Sequence, residues 1–214
     1  DNKISFSASA TTSPDLVKAG IQSTLAEKYL WLIPESSAFL YPKSRLEKTL
    51  LRKFPRFSSV ELDLQGLQTL YISAIEREPF ALYCATGACY FLDDLGFIFD
   101  TAPVFTEGVY FSYSSDTLSD TPLGTQFLSM AEFEKLSGFI EKVKGLGVKP
   151  LSLTLIGGIE SLLLENGAII KWQRVSDISR IYSNLETFLS SEAIRTQKDF
   201  WGKVATLDLR TENK

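Results

Sequence analysis

Four carboxylates, Glu76, Glu78, Asp93 and Asp94, are the groups in this chain best spaced for reaction chemistry, because two of them can face each other across neighbouring strands. Paired acids at a suitable separation run glycoside hydrolysis, one as acid and the other as base or nucleophile. The same residues also read as solvated acids flanking turns, and Glu76-Arg77-Glu78 carries its own charge partner. The aromatics Tyr110, Phe111, Tyr113, Trp172 and Trp201 are a candidate sugar-stacking platform or, more simply, core residues of a sheet. Cys84 and Cys89 flank a Thr86-Gly87 turn between two apolar runs. A hairpin there sets them opposite each other, near disulfide distance, and a bridge would imply an oxidising compartment. The alternative is a pair of reduced, half-buried thiols; two sulfurs alone do not complete a zinc site.

Other chemistries are excluded by what is missing. The 214 residues contain no histidine, which removes imidazole-activated nucleophiles and histidine-ligated metal centres. No metal or cofactor site is expected. Gly145-x-Gly147 follows a helix pattern and Gly157-Gly158 lacks a following lysine, so neither is a phosphate-cradling loop. Twenty-two basic against 26 acidic side chains give a net charge of -4, with no basic field to hold nucleic acid. A small-molecule substrate is not expected either. What remains is binding through backbone edges and apolar patches. The alternating run Lys203, Val204, Ala205, Thr206, Leu207, Asp208, Leu209, Arg210 is the candidate edge strand, able to recruit a partner segment by strand addition.

The elements that position these residues follow from periodicity. Ile4, Phe6 and Ala8 alternate with serines as a first strand. Ser13-Pro14-Asp15 starts a helix running to about Lys28, and Leu46, Leu50 and Phe54 mark a second that Pro55 ends. Val60, Leu62 and Leu64, then Leu70, Ile72 and Ala74, predict two strands about a turn at Gly66. That makes a compact α+β unit of strand, helix, helix, strand, strand, with a boundary near residue 78. Beyond it, short strands are predicted over Phe80–Cys84, Cys89–Leu92 and Phe97–Phe99, with an Asp94-Leu95-Gly96 turn. Residues 106–126 read as a strand plus a flap. Ser129-Met130-Ala131-Glu132 is a capping box, stapled by Leu128 and Phe133, for a helix through Val143. Leu151, Leu153 and Leu155 predict another strand, Asn166-Gly167 a hairpin, and Ser176-Asp177 the cap of a last helix. The stretch from Leu151 to Trp172 is broken by Glu160, Glu165, Asn166 and glycines and does not suit a bilayer span. The start at Asp1 leads to the expectation of an upstream targeting or anchoring segment.

In order, Phe54-Pro55-Arg56-Phe57-Ser58-Ser59-Val60, Glu76-Arg77-Glu78-Pro79-Phe80-Ala81-Leu82-Tyr83, Asp93-Asp94-Leu95-Gly96-Phe97-Ile98-Phe99, the Asn166-Gly167 hairpin with its following helix, and Leu207-Asp208-Leu209-Arg210 span nearly the whole chain. This succession resembles the extracytoplasmic part of the FtsQ/DivIB family of bacterial cell-division proteins. The resemblance implies a POTRA-like β-α-α-β-β domain over residues 1–77 and an FtsQ-type β domain over 78–214, a mixed α/β fold with a mostly antiparallel sheet. It implies a non-enzymatic divisome scaffold of the inner or plasma membrane, single-pass, anchored by a segment absent from this chain. Its partners would be other division proteins, the coiled-coil subunits FtsB and FtsL, with FtsB bound at or beside the Thr206–Arg210 strand. The chain departs from the family pattern in Ala8-Ser9-Ala10, where a glycine is usual, in the cysteine pair, and in the 106–126 segment. A further apolar strand, usual after Asp-Leu-Arg, is not within the 214 residues. The alternatives are another POTRA-bearing envelope adaptor and a secreted glycan-binding or glycan-active protein.

Overall fold

The computed structural model describes residues 3–9, 43–65, 69–106, 108–117, 122–197 and 200–210, the first strand by its backbone. The helix expected over 13–28 and the turn at Gly66 lie outside the described residues. The chain divides into two compact units, Asp1–Glu78 and Pro79–Lys214.

The first unit contains β1 (Lys3–Ser9), α1 (Lys43–Lys53), β2 (Phe57–Gln65) and β3 (Thr69–Glu76). Its sheet runs β1-β3-β2, with β1 parallel and β2 antiparallel to the central β3. Leu46 and Leu50, four apart on α1, are buried against the alternate residues Val60 and Leu62 of β2 and Ile72 and Ala74 of β3, and against Phe57, which joins them across the register shift between Phe57 and Ser59. Pro55 lies just past the helix end, and Phe54 turns back onto Phe57 with ring centroids 5.9 Å apart. On the outer margin of β2, the Leu62 N–H donates to Glu47 Oε1 of α1 at 3.2 Å.

The second unit is built on eight strands: β4 (Ala81–Ala85), β5 (Ala88–Leu92), β6 (Ile98–Ala102), β7 (Ser112–Ser115), β8 (Pro150–Ile156), β9 (Ile159–Leu164), β10 (Ile169–Gln173) and β11 (Thr206–Asp208). Their order is β11-β10-β9-β8-β7-β4-β5-β6. Helix α2 (Met130–Lys144) connects β7 to β8, and α3 (Ile178–Ser190), with the single turns α4 (Glu192–Arg195) and α5 (Phe200–Lys203), connects β10 to β11. The sheet is mixed: β4–β5, β5–β6, β8–β9 and β9–β10 are antiparallel pairs, and β4–β7, β7–β8 and β10–β11 are parallel. A parallel neighbour requires a crossover, and here two of those crossovers carry helices. β7 and β10 run in the same direction and both crossovers step toward the β11 end. The right-handed rule therefore puts α2 and α3 on one face.

That face holds the core. Tyr83, Leu92, Ile98, Tyr113, Leu153, Leu155, Leu162, Leu164, Ile170 and Trp172 meet Phe133, Leu136, Phe139, Ile140 and Val143 of α2 and Ile181 and Leu185 of α3. The capping box of α2 is complete: the Glu132 N–H donates to Ser129 Oγ at 3.3 Å and the Ser129 N–H to Glu132 Oε2 at 3.2 Å. Asp177 caps α3 by accepting the Ser179 N–H at 3.0 Å. The Asn166-Gly167 turn joins β9 to β10, with Gly167 at φ 83° as a left-handed turn position requires. α3 is not the last helix as expected. Two short turns follow, the second of which packs Phe200 against Phe188 of α3.

Candidate functional site

The predicted docking strand is shorter than its sequence pattern. Of Lys203 to Arg210, only Thr206, Leu207 and Asp208 form β11; Lys203 closes α5, and Val204 and Ala205 lead from it into the strand. The strand stops because Asp208 turns the chain. Its Oδ1 accepts the Arg210 N–H at 3.0 Å, and its carboxylate takes the guanidinium on both oxygens, Nε at 2.9 and 3.0 Å and Nη2 at 2.5 Å. These charge-assisted bonds hold the Asp208 carboxyl down at about 2. Leu207 and Leu209 pack on the core from the helix-covered side.

β11 terminates the sheet. Toward β10, the Ile169 N–H donates to the Ala205 carbonyl at 3.0 Å and the Leu209 N–H to the Lys171 carbonyl at 2.8 Å. Successive strand residues direct their backbone groups to opposite sides, so Ala205, Leu207 and Leu209 serve the inner ladder. Thr206 and Asp208 direct N–H and C=O outward. The opposite margin, β6, is treated differently. There the Ile98 N–H donates to the Thr125 carbonyl at 2.9 Å and the Gly124 N–H to the Ile98 carbonyl at 2.8 Å, and Phe97 bridges to Gln126. Asp100 side-chain Oδ1 also accepts the Thr101 N–H. One edge of this sheet is thus blunted at its start by a covering segment, while among the described residues nothing pairs with the outer side of β11.

The four carboxylates divide between the two units. Glu76 ends β3 in the first unit, 3.8 Å from Arg56 Nε, and Glu78 is exposed at the junction. Asp93 is 4% exposed in the second unit, where its Oδ1 accepts the N–H groups of Leu95 at 3.0 Å and Phe97 at 2.8 Å. Those bonds shape the turn into β6, while Asp94 beside it is exposed. The aromatics do not assemble into one platform. Tyr113 and Trp172 are in the core, Trp172 edge-on to Phe139 at 5.1 Å. Phe111 abuts Tyr113 at 4.9 Å, and Trp201 sits with Phe200. Tyr110 lies on the other face of the sheet against Phe91 and Phe105, at 5.8 and 5.1 Å.

Cys84 and Cys89 are disulfide-bonded, as directly opposed residues of the β4–β5 hairpin. The bridge faces a cavity of about 530 Å³ on the helix-free face, whose walls include Leu82, Pro103, Phe105 and Tyr110. Among the described residues no cluster of three or more metal-ligating side chains occurs, and no helix is long and apolar enough to cross a membrane.

One acid that reads in the sequence only as a break in an apolar stretch is buried. Glu160 is 6% exposed on the core face of β9, in register with Trp172, whose indole N–H donates to Glu160 Oε2. Burial pushes its carboxyl above the ordinary range, against the lowering effect of that bond and of Arg174. The signal was present: Glu160, Leu162 and Leu164 occupy alternate positions, so an inward set of leucines carries an acid at its end.

No protein-family model matches the chain, and no curated protein matches it.

Proposed function

We propose that this protein is a non-enzymatic scaffold that lends a sheet margin to a partner segment, acting in bacterial septum assembly in the manner of the FtsQ/DivIB family. The observation that carries the reading is the outward N–H and C=O pairs of Thr206 and Asp208 on the terminal strand, beside the fully paired inner ladder. An extended peptide gains main-chain hydrogen bonds on such a margin, and alternate side-chain positions supply its specificity. The ordered motifs from Phe54 to Arg210 support the family assignment. On this reading the first unit is a POTRA-type domain and the second an FtsQ-type β domain, with FtsB/FtsL-like coiled-coil subunits as partners. The disulfide supports an oxidising, extracytoplasmic setting. Membrane attachment by a single upstream span is part of the same proposal.

The test uses proline. At Thr206 it removes an outward donor and leaves the Ala205, Leu207 and Leu209 bonds to β10 in place. Thr206→Pro is expected to abolish capture of an FtsB-like peptide while thermal unfolding changes little. Undiminished capture by a folded variant rejects this margin as the docking site.

A further inference from the structure

The inward-facing Glu160 lines a second, half-open cavity of about 360 Å³, formed where the first turns of α2 and α3 approach β9 and the end of β10. Its walls sort by chemistry. Leu128, Leu136 and Ile178 make an apolar shaft, while Glu132, Lys135, Arg174 and Asp177 stand with Glu160 as its charged groups. One carboxylate oxygen is held by the Trp172 indole. The other has no hydrogen-bond partner among the described residues and is not sealed from the cavity. The nearby cation Arg174 is directed to Glu132, Nη2 to Oε1 at 4.0 Å, and Glu132 is in turn held by Ser129. An ionised carboxylate at a leucine-type position costs stability unless a cation meets it, so packing alone does not account for it. Sites that break the local pattern in this way are where function concentrates.

We propose that this cavity is a receptor for an alkyl cation, an ammonium or guanidinium group on an aliphatic stem, with Glu160 as its counter-ion. The stem runs between Leu128, Leu136 and Ile178, and the cationic tip donates to the free oxygen of Glu160. A lysine or arginine side chain of a partner polypeptide and a free alkylamine share this chemistry. The site is independent of the β11 margin.

Trp172 is a built-in reporter, because its indole N–H is bonded to the carboxylate that would receive the cation. In the whole chain, titration with n-butylammonium or n-butylguanidinium chloride is expected to move the Trp172 indole N–H resonance saturably, while sodium chloride at equal ionic strength and n-butanol do not. Glu160→Gln preserves shape and an acceptor for the indole, and is expected to weaken binding about tenfold. Ser179→Trp, at the exposed mouth, is expected to do the same without touching the carboxylate. A lysine-containing pentapeptide that binds at least about tenfold more tightly than butylammonium identifies a polypeptide as the source, and equal binding identifies a free amine. An unmoved resonance, an equal response to salt or butanol, or undiminished binding by both variants overturns the proposal.

Discussion

Asp93 illustrates how a residue of catalytic type is used for architecture. Two backbone N–H groups converge on one oxygen of a carboxylate that is almost wholly buried. Removing it leaves both donors without that partner, so Asp93→Ala is expected to cost about 2–4 kcal/mol in urea unfolding of the Pro79–Lys214 unit, and Asp93→Asn clearly less. A loss below the precision of the method contradicts this assignment. Gly96, three residues on, has φ 78°, and a Cβ there would meet the Phe133 ring at 2.6 Å. Gly96→Ala is therefore expected to be among the costliest single-methyl changes in the unit, about 2–4 kcal/mol, as backbone strain adds to overpacking. Glu160 gives a pH signature. Its folded value is raised above the ordinary 4.5, so its contribution is fully present below that value and is lost as pH rises through the folded one. Relative to wild type, Glu160→Gln should gain stability between pH 4 and pH 7 in denaturant titrations; a constant difference refutes the buried-charge account. Asp93 is hard to read from sequence because an acid beside a turn looks solvated until the fold fixes which way it points, whereas Glu160 is signalled by its alternation with Leu162 and Leu164.

At the level of elements, local signals translated well. The capping box at Ser129 and Glu132, the Asn166-Gly167 turn and the Asp177 cap are each closed within a few residues, and each is present with its bonds. Register across the β4–β5 hairpin follows likewise from Thr86-Gly87 and places Cys84 opposite Cys89. Because that bridge closes a short loop, its reduction is expected to lower stability by only about 2 kcal/mol. Calorimetry with and without reductant checks this; loss of the whole unfolding transition would mean that the bridge, rather than the leucine and aromatic core, holds the unit. Long-range placement was not legible. β7 sits between β4 and β8, parallel to both, yet nothing in Ser112-Tyr113-Ser114-Ser115 names those neighbours. Strand pairing across 30 or 40 residues is decided by crossover handedness and helix packing, which leave no local period. The eight-residue alternation ending at Arg210 yielded a three-residue strand for a related reason: Lys203 ends a helical turn, and Asp208 folds Arg210 back onto itself.

On the scale of the molecule, the second unit carries its own core of Tyr83, Tyr113, Phe133, Leu153, Leu162, Trp172 and Leu185. Residues 79–214 are accordingly expected to fold alone, with a cooperative transition and dispersed methyl resonances. The sheet of this unit has one helix-covered face and unequal margins: one edge is blunted by residues 124–127 and the other ends in β11. The most direct measurement is amide hydrogen exchange at β11 with and without an FtsB-like segment. The account predicts that the Thr206 and Asp208 amides slow markedly on binding, while Leu207 and Leu209, already bonded toward β10, change little. Binding that leaves Thr206 and Asp208 exchanging at their free rate, with protection appearing on another surface, would contradict strand addition at this margin.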